Sequence, residues 1–372
     1  MFKKLLAILL ACLMIPCGLA LAEAEVLTCE NFEYTLNGDG SATIVRCTDE
    51  VGTTAIPAEL DGHPVTAIED SAFSYCESLT NVVIPDGVTH LGESAFFRCP
   101  NLSSVTLPDS LSSIGANPFE YCTQLSQITV SPDHPALATI DGVLFEKATR
   151  TLVCYPCARS AESYSVPQGI QTIGEYAFTG CSFQSYTTSS DNATSAPDAV
   201  FFDDPSPSTP LRSIVLPDSV TTIGNCAFFD CPSLTSITIP DSVTSIGDSA
   251  FGSCGSLTSI TLPDGITSIG DSAFAVCKSL TSVTLPDGIT SIGDSAFADC
   301  KSLTSVAIPD GVTSIGKWAF SYCDSLTSVT IPDSVTFMGE EVFDACPNLT
   351  LTVSQGSYAE TYAVENNIPY TC

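Results

Sequence analysis

Between residues 216 and 349 apolar and polar positions recur every twenty-three residues, marked by Pro217, Pro240, Pro263, Pro286, Pro309 and Pro332. The unit from Pro263 reads Pro-Asp-Gly-Ile-Thr-Ser-Ile-Gly-Asp-Ser-Ala-Phe-Ala-Val-Cys-Lys-Ser-Leu-Thr-Ser-Val-Thr-Leu, and Pro286 begins it again. Val283 and Leu285 alternate with Ser282 and Thr284, a two-residue period that predicts a short strand with one buried face. Pro286 cannot donate to a ladder and is predicted to end the strand. Ile266 and Ile269 are expected to turn inward on the return path, Gly270 to allow a tight turn, and Ala273-Phe274 to form one helical turn with the ring inside. A unit of this size cannot bury its apolar face alone. Stacked copies can, so the pattern predicts a solenoid with a parallel sheet, not the two or three domains that 372 residues would otherwise suggest.

Outside the regular units the pattern changes in ways that predict caps and breaks. Residues 26–48 alternate on either side of Asn37-Gly38-Asp39-Gly40, which predicts a β-hairpin covering the first open edge. The first repeat starts near Ile56-Pro57 and carries extra residues around Asp61-Gly62-His63-Pro64; units from Pro85 and Pro108 are regular. Residues 131–166 break the spacing, and Ile140-Asp141-Gly142-Val143 predicts a hairpin or divergent coil there. Residues 183–210 are rich in Ser, Thr, Asp and Pro, with Phe201-Phe202 in their one apolar cluster, and predict a mobile insert. Near the end, Ser357-Tyr358-Ala359-Glu360 has the form of a capping box, and Ala359, Tyr362 and Ala363 share one face of a short helix stopped by Asn366-Asn367 and Pro369.

The consensus Ile/Leu-Pro-Asp-x-Val/Ile-Thr-x-Ile-Gly-x-x-Ala-Phe-x-x-Cys-x-x-Leu-Thr-x-Val/Ile resembles the leucine-rich repeat of BspA-like bacterial surface proteins, over roughly residues 55–353. The flanking hairpin and terminal helix resemble that family's ends. The resemblance implies an α/β leucine-rich-repeat solenoid, with a curved parallel β-sheet and short helical turns on the return path, between an N-terminal β-hairpin cap and a C-terminal helix cap. It also implies an extracellular location and binding of host or neighbouring-cell proteins. The expected organisation is a signal peptide at 1–22, a hairpin cap at 23–54, the solenoid at 55–353 and a cap at 354–372. Lys3 and Lys4, the apolar run from Leu5 to Ile15 and Ala20-Leu21-Ala22 carry the signal-peptide expectation. No later stretch is expected to cross a membrane.

Composition narrows the partners. There are 42 acidic and 11 basic residues, a net charge of −31, which argues against nucleic acid and anionic membranes. Only His63, His90 and His134 are present, and no nucleophile elbow, zinc-protease or phosphate-loop motif occurs, so no catalysis and no cofactor is expected. Ten of the eighteen cysteines occupy one repeat position, from Cys76 to Cys346, at a spacing unlike any zinc signature. They read either as small buried side chains or as disulfides between neighbouring coils. Cys154 and Cys157 form a C-x-x-C that suggests a local disulfide or a surface pair, and Cys29 and Cys47 are the best disulfide candidate across the N-terminal turn. Two aspartate rows, one after each proline and one at Asp248, Asp271 and Asp294, read as a solvated edge, with calcium as the alternative; no metal ligand is named.

The expected binding surface is the outward strand face, Ser236, Thr238, Ser259, Thr261, Ser282, Thr284, Ser305, Ser328 and Thr330. That face lacks the Trp, Tyr and Arg that dominate binding hot spots. The irregular places therefore join it: the 131–166 coil, Phe201 and Phe202 in the insert, and Trp318 with Tyr322. The leading expectation is a secreted or cell-surface protein that binds or adheres to an extracellular protein ligand. The alternatives are an acidic structural spacer and a hydrolase in the irregular coil.

Overall fold

The structure, a computed structural model, describes residues 25–48, 56–181 and 211–372. The expected signal segment at 1–22, and the insert with Phe201 and Phe202, lie outside the described residues. Each regular coil has three sides, and each side is hydrogen-bonded to the next coil. On the first, Ser259–Thr261 lies parallel to Ser282–Thr284 with Ile260 beside Val283. On the second, Ser268–Ile269 lies parallel to Ser291–Ile292, a ladder that the sequence pattern did not suggest. The third is the Ser-Ala-Phe segment. The Phe274 N–H donates to the Ala296 carbonyl at 2.8 Å, and the Phe297 N–H donates to the Ala319 carbonyl at 2.8 Å.

This third side corrects the expected helical turn. Ser272 and Val276 sit in the left-handed region, at φ 54° and 62°, so the segment is a pair of turns. Alternate N–H groups, those of Ser272, Phe274 and Val276, point to the next coil, while Ala273, Ala275 and Cys277 donate back to the residue three earlier and close the turns. The only α-helix among the described residues is α1 (Tyr358–Glu365), in the C-terminal cap. Its N-cap Ser357 accepts the Glu360 N–H, while the Glu360 carboxylate accepts from Gly356, one residue earlier than a capping box would require. A final strand, Tyr370–Thr371, adds to the first ladder beside Thr350–Thr352.

Inside the coil, Ile266, Ile269, Phe274, Cys277, Leu280, Val283 and Leu285 are all buried. The phenylalanines form a stack, with Phe274 5.4 Å from Phe251 and 5.3 Å from Phe297 between ring centroids. Gly270 is needed for close approach, not for a tight turn. A Cβ there would meet Asp248 Oδ1 of the preceding coil at 2.6 Å.

The N-terminal cap has three strands, β1 (Leu27–Cys29), β2 (Phe32–Leu36) and β3 (Ala42–Cys47). β2 and β3 are the expected hairpin, but β1 adds on the far side of β2. Cys29 and Cys47 each pair with Phe32 from opposite sides. Two strand spacings separate them, about 9–10 Å, beyond the roughly 7 Å between Cα atoms that a disulfide can span. The proposed Cys29–Cys47 bridge is therefore corrected: β2 stands between the two residues.

The irregular stretch is an antiparallel meander of Leu137–Ile140, Val143–Glu146 and Thr151–Cys154, with its tight turn at Asp141-Gly142. Thr151–Cys154 then joins the second ladder beside Thr172–Ile173. Both faces of the meander are apolar, because it partitions two cores. Leu137, Leu144, Val153 and Cys154 pack into the N-terminal core, and Val143, Phe145, Leu152 and Tyr155 into the C-terminal one.

Candidate protein-binding surfaces

All nine strand-face residues singled out, from Ser236 to Thr330, are exposed and stacked in register over successive coils. They form a plain hydroxyl surface. The threonine before each strand serves the fold: Thr281 and Thr327 Oγ1 donate to the carbonyls of Thr258 and Thr304, each 23 residues earlier. Apolar side chains interrupt the hydroxyl rows at Val83 and Val215, both more than half exposed.

Trp318 and Tyr322 lie on the third side, 40% and 54% exposed, both in the left-handed region. Trp318 is held in place: its Nε1–H donates to Glu341, and Lys317 Nζ sits 4.1 Å from the ring centroid while pairing with Glu340 at 2.6 Å. These two residues and the strand face are therefore on different sides of the coil, and do not converge on one site.

The same third side carries a denser group that the sequence reading missed. Tyr75, Phe97 and Tyr121 meet edge to face at 5.5 and 5.7 Å. The Arg98 guanidinium lies 5.9, 5.2 and 5.2 Å from the Tyr75, Phe97 and Tyr121 rings, a cation held over three aromatic surfaces. Tyr121 packs over Gly180, where a Cβ would meet its ring at 2.7 Å, and its hydroxyl donates to Asp230. Burial raises the Asp230 carboxyl above its ordinary range. Beneath the cluster Glu120 is 4% exposed and accepts from Ser94 Oγ at 2.6 Å; burial pushes its pKa up to about 7. Buried Asn117 donates to the Tyr176 carbonyl at 2.7 Å, linking the segments on either side of the meander. A signal was available. These aromatics fill the two variable positions between Phe and Cys, which in the later coils hold mostly small residues.

The cysteine row lies inside. Cys254, Cys277 and Cys300 Sγ each donate to the carbonyl of a Phe 26 residues earlier, at 3.2 Å. Burial raises these thiols well above their ordinary pKa, which keeps the donating proton in place. The C-x-x-C is divided between the two cores: Cys154 faces the N-terminal one, while Cys157 packs on the C-terminal one with its Sγ 2.8 Å from Cys181 Sγ. The second aspartate row also serves the fold. Oδ1 of Asp248, Asp271 and Asp294 accepts the backbone N–H of Asp271, Asp294 and Lys317 at 2.9, 2.8 and 2.7 Å. Among the described residues no group of three His, Cys, Asp or Glu side chains is arranged to hold a metal. His134 is fully buried in the meander coil, where Nδ1 accepts the Ala136 and Leu137 N–H groups and Nε2 donates to the Pro108 carbonyl.

With three laddered sides, a Phe stack and a thiol row repeating every 23 residues, the fold can be set beside known ones. A family model described as a BspA type leucine-rich repeat region matches residues 58–152, 150–208, 206–305 and 244–367. The chain belongs to this family. A leucine-rich repeat protein from Eubacterium ventriosum shares the BspA-type chain's fold at TM-score 0.58 and 21% identity, covering 85% of this chain and 93% of that one. A leucine rich cell surface protein from Faecalibacterium prausnitzii is 26% identical over 93% of this chain and 98% of that one, at TM-score 0.44. The pneumococcal vaccine antigen PcpA is 16% identical over 93% and 98%, at TM-score 0.43. No curated protein matches the chain. Among the described residues no helix is long and apolar enough to cross a membrane.

Proposed function

We propose that this BspA-type repeat protein is a secreted or cell-surface module that binds an extracellular protein without catalysis. The solenoid is a rigid carrier, and the aromatic–arginine cluster of Tyr75, Phe97, Arg98 and Tyr121 is the principal anchor. The observation that carries this reading is that cluster: an exposed tyrosine and a half-buried arginine among rings, the residue types that dominate protein-binding hot spots. Trp318 and Tyr322 supply a second contact on the same side, and the hydroxyl strand face a weak, multivalent one. Export rests on the basic start, apolar run and Ala20-Leu21-Ala22 of a signal peptide spanning residues 1–22, ahead of the cap, solenoid and terminal cap. Immobilised chain lacking residues 1–22 is exposed to a pool of extracellular proteins. The reading expects saturable capture that is lost in Tyr75→Ser/Arg98→Ala. Capture of nothing would favour the second reading, an acidic spacer, which the uniform hydroxyl face and the net charge of −31 support.

A further inference from the structure

The third ladder has a direction. In each coil from Cys226 to Tyr322 three N–H groups donate forward to the coil that follows. Ser295, Phe297 and Asp299 donate to the carbonyls of Lys317, Ala319 and Ser321, each at 2.8 Å. Trp318, Phe320 and Tyr322 donate to those of Glu340, Val342 and Asp344 at 3.1, 2.9 and 2.8 Å. The equivalents in the last coil are Glu341, Phe343 and Ala345, and among the described residues no carbonyl faces their N–H groups. The terminal cap covers the other two sides. Tyr370–Thr371 extends the strand ladder and the Tyr358 hydroxyl accepts the Met338 N–H of the second side, while the Tyr362 hydroxyl accepts the Val342 N–H beside the gap. Between the cap and the three donors is a cavity of about 410 Å³, lined by Phe343, Ala345, Cys346, Tyr362, Asn367 and Ile368. Phe343 is 5% exposed where Phe251, Phe274, Phe297 and Phe320 are 0%, and Cys346 is only half-buried where Cys323 is fully buried.

We infer that this open end docks a segment of another protein with the pattern basic-x-small-aromatic, folded into the same pair of turns as the coils before it, whose alternate carbonyls complete the third ladder. Addition of main chain to an exposed ladder edge is an established mode of recognition. The preceding interfaces specify the chemistry. An aromatic ring enters the cavity beside the exposed edge of Phe343, the next place in line after the Phe320–Phe343 pair at 5.6 Å. A small residue precedes it because Ala273, Ala296 and Ala319 occupy that place with no exposed surface. The basic residue falls beside Glu340, whose side chain is still 78% exposed after pairing with Lys317, and close to Glu341. The end is separate from the cluster at Tyr75–Tyr121, and its use does not depend on that cluster binding anything.

The probe is the synthetic peptide acetyl-Ala-Lys-Ser-Ala-Phe-Ala-Ser-amide, added to the full chain, with backbone amide hydrogen exchange resolved by NMR. Without peptide, the amides of Glu341, Phe343 and Ala345 should exchange at least about tenfold faster than those of Trp318, Phe320 and Tyr322, as unpaired edge groups do. The peptide should slow all three, the same peptide with Asp in place of Phe should not, and Glu340→Lys should weaken binding about two- to fivefold. Four results would overturn the proposal: equal protection of the two sets without peptide, no protection at about 1 mM peptide, equal protection by the Asp peptide, or protection that rises with protein concentration alone, which would make the occupant a second copy.

Discussion

Replacing Phe274 with alanine opens a cavity in the middle of the ring stack. The side chain is fully buried, and its ring lies within 2° and 8° of parallel to Phe251 and Phe297. Burying a phenylalanine and then truncating it costs about 3–5 kcal/mol, depending on how far the walls collapse. Here collapse is resisted, because the walls are rings whose backbones are pinned: the Phe251 N–H donates to Ala273 at 2.9 Å and the Phe297 N–H to Ala319 at 2.8 Å. Two stacking contacts are lost as well, each worth about 0.5–1.5 kcal/mol beyond area alone. The expected cost is therefore at the upper end, about 4–5 kcal/mol. Phe343→Ala is the internal control. It has one ring neighbour and lies beside the terminal cavity, so the loss should be nearer 2–3 kcal/mol. Urea unfolding gives the totals, and hydrogen exchange locates them. In a quasi-one-dimensional array the loosening should be confined to the mutated coil and its two neighbours. A cost below about 2 kcal/mol for Phe274→Ala, or equal costs for the two variants, would refute the account of the stack.

Three other outcomes follow from particular residues. Burial raises the Glu120 pKa from 4.5 to about 7, so the folded state holds this proton more tightly than the unfolded chain does. Its contribution is complete below about pH 4.5 and is lost as pH rises through 7, a change of about 3 kcal/mol; Glu120→Gln should flatten that part of the stability-versus-pH curve, and an unchanged slope would count against the burial. Val276 is a β-branched residue at φ 62°, where the equivalent Gly180 sits at 72°; Val276→Asn should raise stability by about 1 kcal/mol in thermal unfolding, and a loss would contradict the strain. Iodoacetamide at pH 8 should leave Cys254, Cys277 and Cys300 unmodified until the chain unfolds, while oxidised glutathione should link Cys157 to Cys181 with release of two glutathione thiols; mass mapping that finds Cys154–Cys157 instead would contradict the division of that motif between two cores.

Periodicity made the solenoid legible, because a repeat that places Phe274, Cys277, Leu280 and Val283 at fixed intervals has few ways to bury them all. It also located the caps and the break at 131–166. What it hid were relations between coils. Gly270 looked like a turn residue, but its role appears only when Asp248 of the previous coil stands against it. The Ala273-Phe274 segment looked helical from its own residues, but the Phe274 N–H is claimed by Ala296 of the following coil. Cys29 and Cys47 looked opposed because β1 was not recognised as a strand. The Tyr75–Phe97–Arg98–Tyr121 cluster was missed because its members in neighbouring coils are 22–24 residues apart in sequence and meet only through stacking.

The central claim of the proposed function is that recognition rests chiefly on the irregular aromatic side and only weakly on the uniform strand face. Three versions of the chain, the natural one, Tyr75→Ser/Arg98→Ala, and Thr261→Lys/Thr284→Lys on the strand face, are compared for saturable capture of the same extracellular proteins. The account predicts at least about a tenfold loss of affinity for the aromatic-side variant, as expected for removing hot-spot anchors, and little change for the strand-face variant. The reverse order, with the lysines abolishing capture and the Tyr75/Arg98 changes leaving it intact, would contradict it.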